Sequence, residues 1–268
     1  MSYPGPQKRS ALLRAVTPAL EALLDLIYPR LCSACKVPLA PEAPERGNKA
    51  WFCAACETEL PLVEPPYCKV CGETYDGAFT HDFRCQNCSG RRLEFEFAAA
   101  ACRAEDGARE LIHQFKYERR LHLRGPLAAL MLRTLEEPRL TGENLGEWLL
   151  VPVPLHPSRE LDRGFNQSWE LCRRLSQWTG IPAANVLERS RATDSQASLD
   201  REERLRNLRG AFRIRTPRPW QRGIPLAGRR ILLVDDVFTT GATTSECARV
   251  LRREGEAEKV VVITVARG

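Results

Sequence analysis

Two adjacent carboxylates followed by small hydroxyl residues form the stretch of this sequence best suited to chemistry. Asp235 and Asp236 come directly after the apolar run 231–234, and residues 239–243 read Thr-Thr-Gly-Ala-Thr. Small residues at the start of a helix let a phosphate approach backbone N–H groups. Carboxylates repel a phosphate, but they accept hydrogen bonds from vicinal hydroxyls or hold magnesium. The stretch therefore predicts a site for a ribose 5-phosphate.

The elements that must hold this stretch are a strand and a helix. The apolar run 231–234 has the branching of a parallel strand covered on both faces. From Thr244 to Leu251 apolar residues return at helical spacing. A simple helix cap is the alternative reading, but one cap needs only one acid. The sequence contains neither a Walker pattern nor a GxGxxG loop, so the two commoner nucleotide loops are excluded.

A second strand, predicted over residues 148–151, leads into a segment that contains Arg159 and Arg163. In doubly wound sheets ligands bind beyond the carboxyl ends of the strands, so this segment and residues 235–243 can face one ligand. Guanidinium groups match the oxygens of a diphosphate. Ordinary surface arginines in a solvated turn are the alternative.

Four Cys-x-x-Cys pairs account for eight of the eleven cysteines. The pairs are Cys32/Cys35, Cys53/Cys56, Cys68/Cys71 and Cys85/Cys88. This spacing predicts two tetrahedral zinc sites, whereas a disulfide framework would need an export signal and an oxidising compartment. Sequential pairing keeps each loop short, and interleaved pairing stays open. Cys102, Cys172 and Cys247 lie in apolar surroundings and are expected to be small core residues.

The composition is that of a globular chain with a small metal-dependent region. Of the 268 residues 28% are charged, and the net charge of +6 permits a polyanionic partner, although scattered surface arginines explain it equally. No apolar run approaches the roughly 20 residues that span a bilayer. We expect a cytoplasmic protein with an amphipathic helix over 1–30, a double zinc ribbon over 31–90 and an α/β domain over 91–268. Metal coordination would provide the folding energy of the ribbon.

Residues 190–209 are highly charged, with four acids and five arginines. Such a segment is typical of a solvated excursion. Because it lies between the two predicted ligand loops, we expect a lid that closes over the site and contributes Arg191.

Residues 235–243 resemble the phosphoribosyl-pyrophosphate (PRPP) motif of type I phosphoribosyltransferases, and the whole chain resembles the ComF family. The segments that carry the second resemblance are 26–29, 112–117, 151–154, 163–167 and 235–243, together with Gln196, Leu199, Arg204 and Asn207. The resemblance implies a type I phosphoribosyltransferase-like parallel sheet flanked by helices and preceded by a small double zinc ribbon.

The resemblance also implies a role for each residue of the site. Thr239, Thr240, Gly241, Ala242 and Thr243 would hold the 5-phosphate, and Asp235 and Asp236 the ribose hydroxyls, with magnesium bridging ribose and diphosphate. Arg159 and Arg163 would stabilise the leaving diphosphate, while Arg191, Gln196 and Arg204 of the lid exclude water. Val153, Pro154 and Gln167 complete the ligand-binding set. Lys116 either points into the same cleft or extends from its helix into solvent.

Two classes of function follow from this resemblance. The first is a PRPP-dependent phosphoribosyltransferase with an unidentified acceptor, linked to DNA uptake in natural competence or to DNA utilisation. The second is a non-catalytic protein that binds single-stranded DNA through its zinc ribbon or is a partner of a helicase of the uptake machinery. Such a protein would use the PRPP site only for sensing or as a scaffold.

Overall fold

The computed structural model describes residues 29–39, 51–75, 77, 83–191, 208–216 and 223–268. The chain divides into two compact units, Met1–Glu59 and Leu60–Gly268. In its described part the first unit contains one short helix, α1 (Ala54–Thr58). The amphipathic helix expected over 1–30 falls almost entirely outside the described residues, and the domain boundaries stay a prediction.

A parallel sheet forms the centre of the second unit. Its strands are β1 (Ala98–Arg103), β2 (Leu149–Pro152), β5 (Arg230–Phe238) and β6 (Lys259–Arg267). They lie in the order β1-β6-β5-β2, and every neighbouring pair is parallel. Two short strands, β3 (Leu187–Arg189) and β4 (Phe212–Ile214), form a separate antiparallel pair. The predicted parallel α/β sheet is confirmed, whereas the antiparallel pair was not predicted.

Five further helices accompany the sheet within the described residues. They are α2 (Asp106–Tyr117), α3 (Arg124–Leu132), α4 (Pro157–Arg163), α5 (Gln167–Thr179) and α6 (Ala242–Arg253). Short 3-10 turns occur at Leu121–Leu123, Arg133–Glu136, Pro138–Leu140 and Leu145–Glu147. The Asn166 side chain caps α5 by accepting the Trp169 N–H at 3.2 Å.

Alternation along β5 explains why both faces of the sheet are covered. Ile231 and Leu233 point to one face, where they join a buried cluster with Val250 and Leu251 of α6. The intervening residues point to the opposite face, where α3 and α5 pack together against the sheet. The apolar run is thus buried on both sides, as its composition predicts.

The segment that carries the predicted diphosphate arginines is helical rather than an open loop. Pro157 occupies the first position of α4, and the His156 side chain accepts the Ser158 N–H at 3.3 Å. Gly164, at φ +81°, ends the helix in the left-handed conformation. Arg159 and Arg163 therefore have fixed positions on a short helix.

The junction between β5 and α6 requires glycine at position 241. Gly241 has φ +75°, and a Cβ atom there would lie 2.6 Å from Cζ of Phe238. Gly241→Ala is expected to cost about 1–3 kcal/mol of unfolding free energy, measured by chemical denaturation. Gly228→Ala is the matched control, because Gly228 has φ +68° but no atom within 4 Å of the added Cβ. Equal losses in the two variants would contradict a contribution from the Phe238 contact.

Candidate functional site

The turn after β5 has the backbone geometry of an anion-binding helix start. Gly241 precedes the 12-residue helix α6 in the left-handed conformation. The Thr240 hydroxyl accepts the Ala242 N–H at 3.4 Å, and the Thr244 hydroxyl donates to the Gly241 carbonyl at 3.2 Å. The backbone N–H groups of the first helical turn, with the positive end of the helix dipole, therefore lie beside residues 239–243.

The two carboxylates lie in the last part of β5 and use different partners. Asp235 Oδ1 accepts the Ser168 hydroxyl at 3.0 Å and the Asp236 N–H at 2.9 Å. Asp236 is buried, and its Oδ1 lies 2.8 Å from the Lys116 ammonium nitrogen. Helices α5 and α2 thus provide one partner each. Of the two interpretations of Lys116, the structure has the side chain directed to the carboxylates rather than into solvent.

The surroundings of Asp235 favour its protonated form. Burial, and then the neighbouring charge of Asp236, raise the pKa of Asp235 from 3.8 to about 7. The Lys116 charge and the hydrogen bonds from the Asp236 N–H and Ser168 act in the opposite direction but do not offset the burial. A ligand that donates hydrogen bonds to this carboxylate would favour its charged form.

Two buried acceptor atoms in this region have no hydrogen-bond donor among the described residues. They are Oδ2 of Asp236 and Oε1 of Gln167, the residue before Ser168 at the start of α5. Buried acceptors are normally paired, because an unpaired one costs free energy. Hydroxyl groups of a ligand are donors that fit such atoms.

A cavity of about 390 Å³ brings together the predicted cationic residues. Its lining consists of Lys116, Tyr117, Arg119, Arg159, Asp162 and Arg163. The Arg163 guanidinium lies 5.0 Å from the centre of the Tyr117 ring, and the Arg119 side chain donates to the Asp162 carbonyl. Tyr117 and Arg119 were not predicted as site residues, although Tyr117 ends the segment 112–117 used for the family resemblance and Arg119 lies two residues beyond it.

A second cavity, of about 370 Å³, contacts α4 at Pro157 and Glu160. Its remaining lining is Pro154, Leu155, Asn166, Asn185, Glu188, Arg189, Ser190, Arg213 and Arg215. Burial and the nearby Arg159 charge lower the pKa of Arg189. This arginine was not predicted, because the short strand β3 that carries it has no motif of its own.

The other predicted site residues differ in how far the structure describes them. Val153 is buried after β2, where its N–H donates to the Val234 carbonyl at 2.9 Å and its carbonyl accepts the Asn166 side chain at 3.1 Å. Arg191 is exposed. Gln196, Leu199, Arg204 and Asn207, and with them most of the expected lid, lie outside the described residues.

The eight paired cysteines form two clusters in which the pairing is sequential. Cys32, Cys35, Cys53 and Cys56 form the first, and Cys68, Cys71, Cys85 and Cys88 the second. The ligand atoms of each cluster lie within 4.8 Å of one another. The sulfurs of Cys71 and Cys85 are 3.5 Å apart, close to the roughly 3.8 Å expected from tetrahedral Zn–S bonds. Both clusters fit a structural zinc ion.

Backbone donors repeat the same arrangement in both clusters. The Cys53 N–H donates to the Cys32 sulfur at 3.4 Å, and the Cys85 N–H donates to the Cys68 sulfur at 3.3 Å. Burial acts to raise the pKa of Cys32, but backbone N–H donors outweigh it and lower the pKa to about 6. A thiolate stabilised in this way is the form that binds metal.

The aromatic residues of the second ribbon are partly packed and partly exposed. Tyr75 and Phe83 contact each other with ring centres 4.9 Å apart, and Tyr75 is half exposed. The Tyr67 hydroxyl donates to Glu137 at 3.1 Å. His81 and Phe79 lie outside the described residues.

The fold and the cysteine clusters together define a zinc-ribbon protein with a parallel α/β domain. Residues 23–89 match the family model described as a double zinc ribbon domain. The DNA utilization protein YhgH of Escherichia coli strain K12 is 34% identical over 235 residues, which are 87% of this chain and 95% of that protein. Competence protein F of Haemophilus influenzae is 30% identical over 227 residues, 83% and 94% of the two chains. The chain belongs to this family, the ComF family.

A solved structure of L. donovani hypoxanthine-guanine phosphoribosyl transferase is also similar, at 14% identity and a TM-score of 0.32. The match covers 54% of this chain and 67% of that one. Across the described residues, no helix is both long enough and apolar enough to cross a membrane.

The two cysteine clusters are expected to differ in their effect on stability. The protein should bind about two zinc ions per chain, and Cys35→Ser or Cys85→Ser should each remove about one. Only Cys85→Ser should lower the melting temperature of the second unit by several degrees, because Cys85 belongs to the buried cluster that includes Ile231 and Leu233. Zinc release measured with a chromogenic chelator and melting followed by circular dichroism test this. An equal loss of stability in both variants would contradict it.

The raised pKa of Asp235 predicts a specific dependence of stability on pH. Between pH 3.8 and about 7 the unfolded chain has lost this proton and the folded chain retains it, so the Asp235 contribution destabilises the fold as the pH rises. Asp235→Asn should therefore melt at a higher temperature relative to wild type at pH 8 than at pH 4. Asp162→Asn, at an exposed carboxylate, is the control and should lack this trend. A constant difference across the range would overturn the prediction.

Proposed function

We propose that this protein binds PRPP with magnesium at the junction of β5 and α6 and transfers its phosphoribosyl group. One observation carries the proposal. Asp235 and Asp236 lie in the last part of β5, a few residues before a left-handed glycine and a helix start, and Asp236 Oδ2 has no donor among the described residues. A ligand that joins vicinal hydroxyls to a phosphate matches both features.

The ribose hydroxyls would donate to the carboxylates. A ribose hydroxyl bound to Asp236 Oδ2 would satisfy one buried acceptor. Gln167 Oε1, at the start of α5, would provide a second buried acceptor. The 5-phosphate would accept hydrogen bonds from the backbone of residues 239–243. Gly241 leaves room for this approach because it has no side chain.

The diphosphate would meet the cavity lined by Lys116, Arg159 and Arg163. Arginine forks bind phosphate oxygens in pairs, and they stabilise the charge that develops as the diphosphate leaves. Carboxylates such as Asp235 and Asp236 are ligands of the kind that magnesium prefers. The ion would neutralise the negative charge of the diphosphate beside the ribose. Lys116, which lines this cavity and lies 2.8 Å from Asp236, would contact both groups.

Transfer breaks the bond between C1 and the diphosphate oxygen and forms a bond from C1 to the acceptor, which loses a proton. The protein contributes positioning and charge stabilisation rather than covalent chemistry. Arg191 and the rest of the 190–209 segment would exclude water, which otherwise competes with the acceptor.

The relatives named for DNA utilization and competence support a role in the handling of DNA. A specific observation also favours binding of single-stranded DNA without catalysis, although at the α/β domain and not through the zinc ribbon of the second candidate. Tyr117 is exposed beside Lys116, Arg119 and Arg163. An aromatic ring among cations is suited to stacking a base along a bound phosphate backbone.

Thermal shift with PRPP and magnesium tests the first candidate. At a ligand concentration about 100 times Kd, the melting temperature of the wild type should rise by roughly 5–10 °C. The double variant Asp235→Asn, Asp236→Asn should show no rise, while Glu258→Gln, at an exposed carboxylate outside the cavity of Arg159 and Arg163, should keep it. Release of diphosphate in the presence of cell-derived acceptor mixtures then tests transfer.

An absent shift in the wild type would remove the PRPP proposal. Salt-dependent binding of a single-stranded oligonucleotide, without any response to PRPP, would support the second candidate in its place. Binding of both ligands without diphosphate release would support a sensor.

A further inference from the structure

One arginine connects the second cysteine cluster to the predicted phosphate loop. Arg91 lies three residues after Cys88, the last cysteine of that cluster. Its Nη1 donates to the Asn87 carbonyl at 3.1 Å and to the Thr240 carbonyl at 3.3 Å. A single guanidinium thus bridges the end of the ribbon and the turn before α6.

A second arginine makes a parallel connection from β6. Arg267 is 7% exposed, forms an ion pair with Glu73 in the ribbon, and donates from Nη1 to the Phe238 carbonyl at 3.2 Å. The Phe95 ring also meets the Phe238 ring edge-on, with centres 5.8 Å apart. Arg91, Phe95 and Arg267 therefore all contact the segment from Phe238 to Thr240. Arg91 and Phe95 lie just after the ribbon, and Arg267 pairs with a ribbon residue.

The contact to Thr240 has a consequence for phosphate binding. In a trans peptide the C=O and the following N–H point in opposite directions. A donor on the Thr240 carbonyl therefore orients the Gly241 N–H away from Arg91. Glycine rotates easily between backbone conformations, so this peptide would otherwise be free to flip. A flipped peptide would present a carbonyl oxygen, which repels a phosphate.

We propose that Arg91 is a positioning residue that holds the Thr240–Gly241 peptide with its N–H toward the ligand phosphate. Through Arg91, the second cysteine cluster is coupled to the affinity of the site for a 5-phosphate. The inference rests on the proposed function and adds to it the residue that sets the geometry of the phosphate loop. The role of Arg91 is exerted through the loop backbone, at the Thr240 carbonyl that its Nη1 contacts.

Binding of three probes to the zinc-loaded full chain tests this role. PRPP, ribose 5-phosphate and inorganic pyrophosphate are titrated by calorimetry into wild type, Arg91→Ala and Arg92→Ala. Arg92 is the matched control because it is the exposed neighbour. Arg91→Ala should weaken the first two ligands roughly tenfold and leave pyrophosphate unchanged, since loss of a charged hydrogen bond corresponds to about that factor. Arg92→Ala should change none of them.

Hydrogen exchange of the peptide covering residues 239–245 provides a readout that needs no ligand. Exchange should become several-fold faster in Arg91→Ala, remain at the wild-type rate in Arg92→Ala, and recover in part in Arg91→Lys, whose ammonium can still reach one carbonyl. Zinc content is measured in each sample. If Arg91→Ala loses zinc, the test rests on Arg91→Lys. This variant should weaken the binding of ribose 5-phosphate more than the binding of pyrophosphate.

Equal weakening of pyrophosphate and ribose 5-phosphate would overturn the proposal, because it would indicate general loss of structure. Unchanged exchange over residues 239–245 in Arg91→Ala would also overturn it. A wild type that binds none of the three probes contradicts the proposed function, and the exchange comparison still decides whether Arg91 fixes the loop.

Discussion

Two adjacent carboxylates at the end of a central strand are the constraint on which the rest of this site depends. Burying them costs free energy unless cations or donors surround them. Lys116 and Ser168 meet this requirement in part, at 2.8 Å from Asp236 and 3.0 Å from Asp235. The remaining cost appears in the raised pKa of Asp235 and in the acceptor of Asp236 that has no donor among the described residues. A site with this residual cost is one that a ligand can stabilise by binding.

Strand geometry explains why so many elements converge here. Successive side chains of a strand point in different directions, so the neighbouring aspartates make their hydrogen bonds with different side chains. Asp236 reaches α2 through Lys116, and Asp235 reaches the start of α5 through Ser168. Helix α2 also lines the cavity of Arg159 and Arg163 through Lys116 and Tyr117, so one partner of the carboxylates also shapes the space beside them.

Local patterns allowed much of this architecture to be predicted. The β5 strand, its turn and α6 follow from residues contiguous in sequence, and the cysteine pairs follow from their spacing. Contacts between distant residues could not be predicted in this way. Arg119 adopts φ +54° and donates to the Asp162 carbonyl, and Arg189 enters its cavity on a three-residue strand. Neither residue belongs to a pattern that a single sequence makes visible, because packing of the finished fold determines both.

The second cysteine cluster differs from an independent metal-stapled module in its surroundings. All four of its cysteines are buried with Phe95 and Phe238 in one apolar cluster, and the Val70 carbonyl accepts the Ala98 N–H at 2.8 Å at the start of β1. A metal-bound knuckle is rigid compared with a loop of equal length, since four bonds hold it. Packing such a knuckle beside a glycine-containing turn therefore limits the conformations of that turn. Because anion sites depend on preorganised backbone donors, the proposed phosphate site would depend on this packing as well as on its own residues.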